Sequence, residues 1–297
     1  ESRSKNQAKN QAGNEAENTD ETASVLTIYG AVHPIIKEEV ESRGGKYQPV
    51  NISIDSPVSV ITGPNMGGKT VALATVGLCV ALVQWGLLAP CQSIELSLYD
   101  FLHFQSQEGE TPGLSSFATE IVGLKEPVSR IAEKGLVLLD EVGRGTNPSQ
   151  GMALYAALLM YYLENPDSRC TVLATTHYHG LADLLGVSHW QVKGLNIDGI
   201  PGEGGPDDAY SSKGRSVNGH SLNSEGLDQQ SPIWSNGSKG LDWLYNHMDY
   251  TLVKVGPDTP IPCDALLVAK VLGLNKNIVQ KAQTFYDSDQ CNLEVKE

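Results

Sequence analysis

Residues 58–70 read Val-Ser-Val-Ile-Thr-Gly-Pro-Asn-Met-Gly-Gly-Lys-Thr, an apolar run that breaks into glycines and ends on Lys-Thr before a second apolar stretch begins. An apolar pentapeptide, then GxxxxGKT, then an apolar periodic segment prescribes strand, tight loop and helix in that order. Gly63, Gly67 and Gly68 permit backbone conformations that a Cβ would block, so that the loop Gly63-Pro64-Asn65-Met66-Gly67-Gly68 can wrap phosphate oxygens with the N–H groups of all its residues but Pro64. Lys69 supplies a cation for the outer phosphates and Thr70 a hydroxyl for Mg²⁺. The helix expected from Thr70 toward Trp85 points the positive end of its dipole at the same charge. The ligand implied is a nucleoside triphosphate.

Five cysteines (Cys79, Cys91, Cys170, Cys263 and Cys291) show neither CxxC pairing nor regular spacing, which argues against a zinc site or a disulfide framework and for reduced thiols in a cytoplasmic setting. No apolar stretch reaches the roughly 18 residues of a membrane span, so no membrane partner is expected. The formal net charge of −14 argues against a large surface that neutralises nucleic-acid phosphates without help from other chains.

Composition divides the chain into four. Residues 1–24 are rich in Asn, Gln, Glu, Ser and Ala without apolar periodicity and read as a disordered leader. Residues 25–195 carry the core, with strands expected at Val50–Ile54, Val58–Thr62, Leu136–Leu139 and Thr171–Thr175. Helical patterns at Val71–Trp85, Phe117–Ala132 and Gly151–Leu163 separate those strands. Residues 196–239, crowded with Gly, Ser, Asn and Asp, read as a low-complexity insertion. Residues 240–297 return to order, with a strand at Tyr250–Val255 and two short helices at Asp264–Leu272 and Lys276–Tyr286, broken at Gly273. Strands alternating with helices imply an α/β fold whose central sheet is mixed, mostly parallel and flanked by helices.

Leu136–Glu141 is four apolar residues followed by Asp-Glu, a buried strand delivering two carboxylates at its C-terminal edge, where α/β sheets bind ligands. An acidic pair ending a strand is by itself more often an ordinary cap. Seventy residues beyond Thr70, the same pair reads as chemistry, with Asp140 supporting Mg²⁺ and Glu141 orienting and deprotonating a water.

Together, TGPNMGGKT at 62–70 and LVLLDEVGRGT at 136–146 resemble the MutS family of mismatch-repair ATPases, whose ATPase domain belongs to the ABC class of phosphate-loop proteins. The resemblance runs from His33-Pro34 to Tyr178 and resumes from Trp243 to Ala282. It implies ATP and Mg²⁺ as ligands and ATP hydrolysis as the reaction. By the same resemblance, His177 is the switch histidine at the γ-phosphate, where a lone histidine ending a strand would otherwise be structural. Leu114-Ser115-Ser116-Phe117 is similar to the family's signature segment, so Ser116 would act in trans on a partner subunit's γ-phosphate in an ATP-bound homodimer, a role compatible with a serine helix cap. Arg144–Asn147 resembles the loop that couples the two ATP sites. Tyr47 stands where the family places an aromatic on adenine, or is a plain core tyrosine. The chain departs from the pattern at Gln105-Ser106, at Glu108-Gly109 and at Gly256–Cys263.

No stretch resembles the family's mismatch-reading, clamp or lever-helix domains. Trp190–Leu195, His247–Leu252 and Thr259–Asp264 instead look like stand-alone MutS-type ATPases encoded with adenosylcobalamin-dependent lysine or ornithine aminomutases. The leading expectation is therefore ATP-driven remodelling of a protein partner, such as an aminomutase. The alternatives are the motor of a mismatched-DNA-binding repair protein, reaching DNA only through other domains or subunits, and a nucleotide-gated scaffold with little hydrolysis.

Overall fold

The computed structural model describes residues 26–42, 44–64, 68–106, 115–178, 180–196, 243–244, 246–256, 259 and 265–294, with side chains to residue 287. The expected leader and, beyond Asn196, the expected insertion lie outside the described residues. Nine strands are described: β1 (Leu26–Ala31), β2 (Val50–Ile54), β3 (Val58–Thr62), β4 (Ser93–Leu96), β5 (Phe101–Gln105), β6 (Gly135–Asp140), β7 (Thr171–Thr175), β8 (Ser188–Leu195) and β9 (Met248–Lys254). The helices are α1 (Pro34–Ser42), α2 (Lys69–Gln84), α3 (Ser116–Ser129), α4 (Pro148–Glu164), α5 (Leu181–Leu185), α6 (Ala265–Val271) and α7 (Lys276–Glu294).

Six strands form the main sheet in the order β5-β6-β7-β3-β8-β9. The first five run parallel and β9 closes the edge antiparallel to β8. Every residue of β3, β6 and β7 is buried, as a parallel strand covered on both faces requires. The strand period of two divides their side chains between the layers. Ile61, Leu136, Leu138 and Leu173 face one cluster with α2, while Val60, Val137, Leu139, Val172 and Ala174 face another with α3, α4 and α5.

The first layer has a second storey. A three-stranded antiparallel sheet, β2-β1-β4, packs Leu26, Ile28, Ile52 and Ile54 onto Leu73, Val76 and Val80 of α2, so this helix lies between two sheets. Its mean hydropathy is correspondingly high for so long a helix, and each fully buried Leu or Val contributes about 1.5–3 kcal/mol. The opposite layer is anchored by Tyr155, Leu159 and Tyr162 of α4, each essentially inaccessible.

At the other end of the main sheet, α6 lays Val271 against Leu195 and Met248 of β8 and β9. Gly273 ends α6 at φ 81°, with Gly273 N–H donating to Lys270 O at 3.0 Å and Leu274 N–H to Ala269 O at 2.9 Å, a Schellman closure. The break expected there is present. The second helix, expected to stop at Tyr286, runs on to Glu294, because no glycine or proline follows Gly273 to halt it.

Candidate functional site

The site is built on three neighbouring strand ends. Ile61 of β3 pairs with Thr175 of β7, and Thr175 with Asp140 of β6, so the C-terminal edges of these strands finish level with one another. β7 therefore stands between the strand that enters the glycine loop and the strand that ends in the acids. Gly63 leaves β3 at φ 143°, and a Cβ there would lie 3.0 Å from Val192 Cβ. Gly68 begins α2 in the left-handed region at φ 76°, where a Cβ would meet the Tyr250 ring at 2.9 Å. A glycine in this place lets both the turn and the ring close on the helix N-terminus.

Lys69 is buried, and its Nζ donates to Gly63 O at 2.8 Å and Pro64 O at 3.0 Å. The same ammonium lies 2.9 Å from Glu141 Oε1. Thr70 Oγ1 donates to Asp140 Oδ2 at 2.8 Å, and Thr175 Oγ1 donates to Asp140 Oδ1 at 2.6 Å. The Glu141 N–H in turn donates to Thr175 Oγ1 and Thr175 O, both at 3.1 Å. Tyr155 closes the network from below, its hydroxyl donating to Thr175 O at 3.1 Å. Burial, with the nearby Asp140, Glu141 and Glu120 carboxylates adding to it, pushes the Tyr155 phenol well above its ordinary range, so it remains a donor.

Glu141 adopts φ 50°, a left-handed conformation that costs a residue with a Cβ roughly 1–2 kcal/mol. Its Oε2 accepts from Arg144 Nη1 at 2.7 Å, so two cations hold the one carboxylate. Beyond it, the Gly143 N–H donates to Glu120 Oε2 at 3.0 Å and Gly143 O accepts from the Tyr178 hydroxyl at 3.2 Å. Burial raises the Glu120 carboxyl above its ordinary range, partly offset by that N–H donor.

The remaining expected residues take these places. His177, half-buried, lies beyond β7 with its ring centroid 4.2 Å from that of Tyr178. Ser116 is exposed at the start of α3, while the cap is its neighbour Ser115, whose Oγ accepts from Ala118 N–H at 3.2 Å. A Cβ on Gly145 would meet Ser116 Oγ at 2.8 Å, so the start of α3 rests against the loop after the acids. The Tyr47 hydroxyl accepts from His33 N–H at 2.9 Å, and next to it Gln48 Oε1 accepts from Thr251 Oγ1 at 3.1 Å. Because Tyr250, adjacent to Thr251, packs on Gly68, the Tyr47 segment and the glycine loop flank the same stretch of β9. Asn65, Met66, Gly67 and Leu114 lie outside the described residues.

Among the described residues no group of three or more His, Cys, Asp or Glu side chains is arranged to hold a metal ion. A hydroxyl and a carboxylate are nonetheless the hard oxygen donors Mg²⁺ takes, with water and phosphate completing its shell. Thr70 Oγ1 and Asp140 Oδ2, 2.8 Å apart through their own hydrogen bond, bring both donor types to one place, Asp140 being expected to hold the ion through water. Thr175, Tyr155, Glu120 and Tyr250 were not expected at the site; the local sign of Thr175 is a hydroxyl at the C-terminal end of a strand whose middle three residues are apolar.

Fold and site together define an α/β protein with a glycine-bordered loop leading into a helix and paired acids on the edge of a mixed, mostly parallel sheet. Residues 59–200 match the family model of MutS domain V. The DNA mismatch repair protein MutS of Roseiflexus sp. (strain RS-1) is 34% identical over 164 residues, covering 54% of this chain and 15% of that protein. The Endonuclease MutS2 of Caldicellulosiruptor saccharolyticus is 36% identical over 162 residues, 53% of this chain and 19% of its own length. The DNA mismatch repair protein MSH3 of Scheffersomyces stipitis is 39% identical over 153 residues, 50% of this chain and 15% of its own. The chain thus spans less than a fifth of the length of these curated relatives. They support the MutS family through domain V, and lend no support to an aminomutase link.

Proposed function

We propose that this chain is the ATP-binding and ATP-hydrolysing module of a MutS-family protein, with an ABC-type phosphate-loop fold. The observation that carries the reading is the single network joining Lys69, Thr70, Asp140, Glu141 and Thr175 at one sheet edge. Lys69 and the loop amides would grip the phosphates, and Tyr47 would lie against the adenine. Thr70 and Asp140 would hold Mg²⁺, which when bound supplies neutralising charge to the β- and γ-phosphates. Glu141 would accept a proton from water as the water oxygen bonds to the γ-phosphorus, while the bond from that phosphorus to the bridging oxygen breaks and its electron pair leaves with ADP. His177 would report on the γ-phosphate, and Ser116 would complete the site of a second copy.

Between the two outputs, the names of the relatives favour DNA mismatch repair over aminomutase remodelling, and DNA would be reached through other domains or subunits. Hydrolysis is tested by phosphate release from MgATP. Lys69→Ala is expected to weaken nucleotide binding about tenfold or more, whereas Glu141→Gln is expected to keep binding and lower turnover about 10²-fold or more. Turnover by Glu141→Gln equal to that of the unaltered chain would remove Glu141 as the base.

A further inference from the structure

The general base of the proposed reaction is held by two cations of different character. Lys69, which takes Oε1 of Glu141 at 2.9 Å, is as buried as the glutamate, and its other partners are carbonyls of the phosphate loop itself. Arg144, which takes Oε2 at 2.7 Å, has a side chain 45% exposed while that of Glu141 is 8% exposed. A carboxylate is planar and turns as a unit, so a group that pins Oε2 also dictates where Oε1 points. Pinned by Arg144, Oε1 points at the Lys69 ammonium. A phosphate that draws Lys69 away would free that oxygen without turning it toward a water.

We propose that Arg144 is a positioning residue that restrains the Glu141 carboxylate in a non-productive orientation, so that hydrolysis needs the withdrawal of this arginine as well as the binding of ATP. The proposal rests on the hydrolysis reading above. Its geometry makes withdrawal feasible. Arg144 sits in a loop whose next residue, Gly145, abuts the exposed Ser116 at the start of α3, so a displacement at that surface is one residue from the guanidinium. Of the two cations that hold the buried glutamate, Arg144 is the one that can be reached from outside.

The test is steady-state MgATP hydrolysis by the full chain carrying Arg144→Ala, Arg144→Lys or Arg144→Ala with Glu141→Gln, each checked for folding by circular dichroism. Arg144→Ala is expected to raise kcat about three- to tenfold with KM within about twofold, since an interaction made in the ground state and lost in the transition state moves kcat alone. Arg144→Lys, which keeps a cation within reach, is expected to stay at the unaltered rate, and the double variant to show no gain. Arg144→Gln takes the place of the alanine variant, with the same expectation, should the latter fail to fold. An unaltered chain that turns over while Arg144→Ala equals it or falls below it overturns the restraint alone. Absence of turnover from every chain removes the hydrolysis reading and the restraint together.

Discussion

The Thr175 hydroxyl donates to Asp140 and accepts from the Glu141 N–H, so one small side chain in the strand between loop and acids ties the Asp140 carboxylate to the Glu141 backbone. Glu120 acts on the same loop from α3, accepting the Gly143 N–H while burial raises its carboxyl above the ordinary value of 4.5. A raised pKa means that the folded chain keeps this proton to higher pH than the unfolded one. Stability then falls as pH rises from about that ordinary value through the folded value, and stays lower beyond it. Glu120→Gln keeps an acceptor for Gly143 and removes the buried charge. The melting temperature of Glu120→Gln is expected to exceed that of the unaltered chain at pH 7 and to match it below pH 4. A lower melting temperature for the variant at pH 7 would show that the charge itself is needed to hold the loop.

Among the elements, α2 couples sequence to site most directly, because its first residues belong to the candidate site and its body is core. Leu73, Val76 and Val80 are buried between the two sheets, and this packing places Lys69 and Thr70 against the acids. The helix starts on Gly68 at φ 76° with Tyr250 against it, so a substitution there has two separable effects. Gly68→Ala is expected to lose about 1–2 kcal/mol from backbone strain, in addition to a steric cost from the ring, and to weaken binding of a fluorescent ATP analogue. Adding Tyr250→Ala should relieve the steric part and leave the strain. Equal denaturant midpoints for the single and double variants would mean that the ring yields without cost.

For the whole molecule, Ser116 is exposed on α3 beside the loop of the chain's own acids, and the proposed role in trans would bring a second copy to it. Dimerisation is expected to require MgATP and to be strongest for Glu141→Gln, which is expected to bind the nucleotide without hydrolysing it. Sedimentation velocity with and without MgATP checks this; a monomer in both states would exclude a shared site. With a net charge of −14, the chain alone is expected to show no mismatch-selective DNA affinity at physiological salt, which a binding titration with matched and mismatched duplexes checks.

What the sequence determined by itself is whatever is encoded within a few residues. The glycine loop is legible because left-handed turns need Gly68, and the acidic strand because an apolar run ends on Asp140-Glu141. The break at Gly273 is legible for the same reason as the loop. β1, β4, β5 and β8 went unread: they are short or carry polar residues among the apolar ones, and they gain their identity by pairing with strands distant in the chain. Only the tertiary structure brought Thr175 between the acids, Tyr250 onto Gly68 and Lys69 opposite Arg144 on one carboxylate. Those contacts depend on how parallel strands are ordered and layered, which is decided by burial summed over the whole sheet and leaves no local pattern to read.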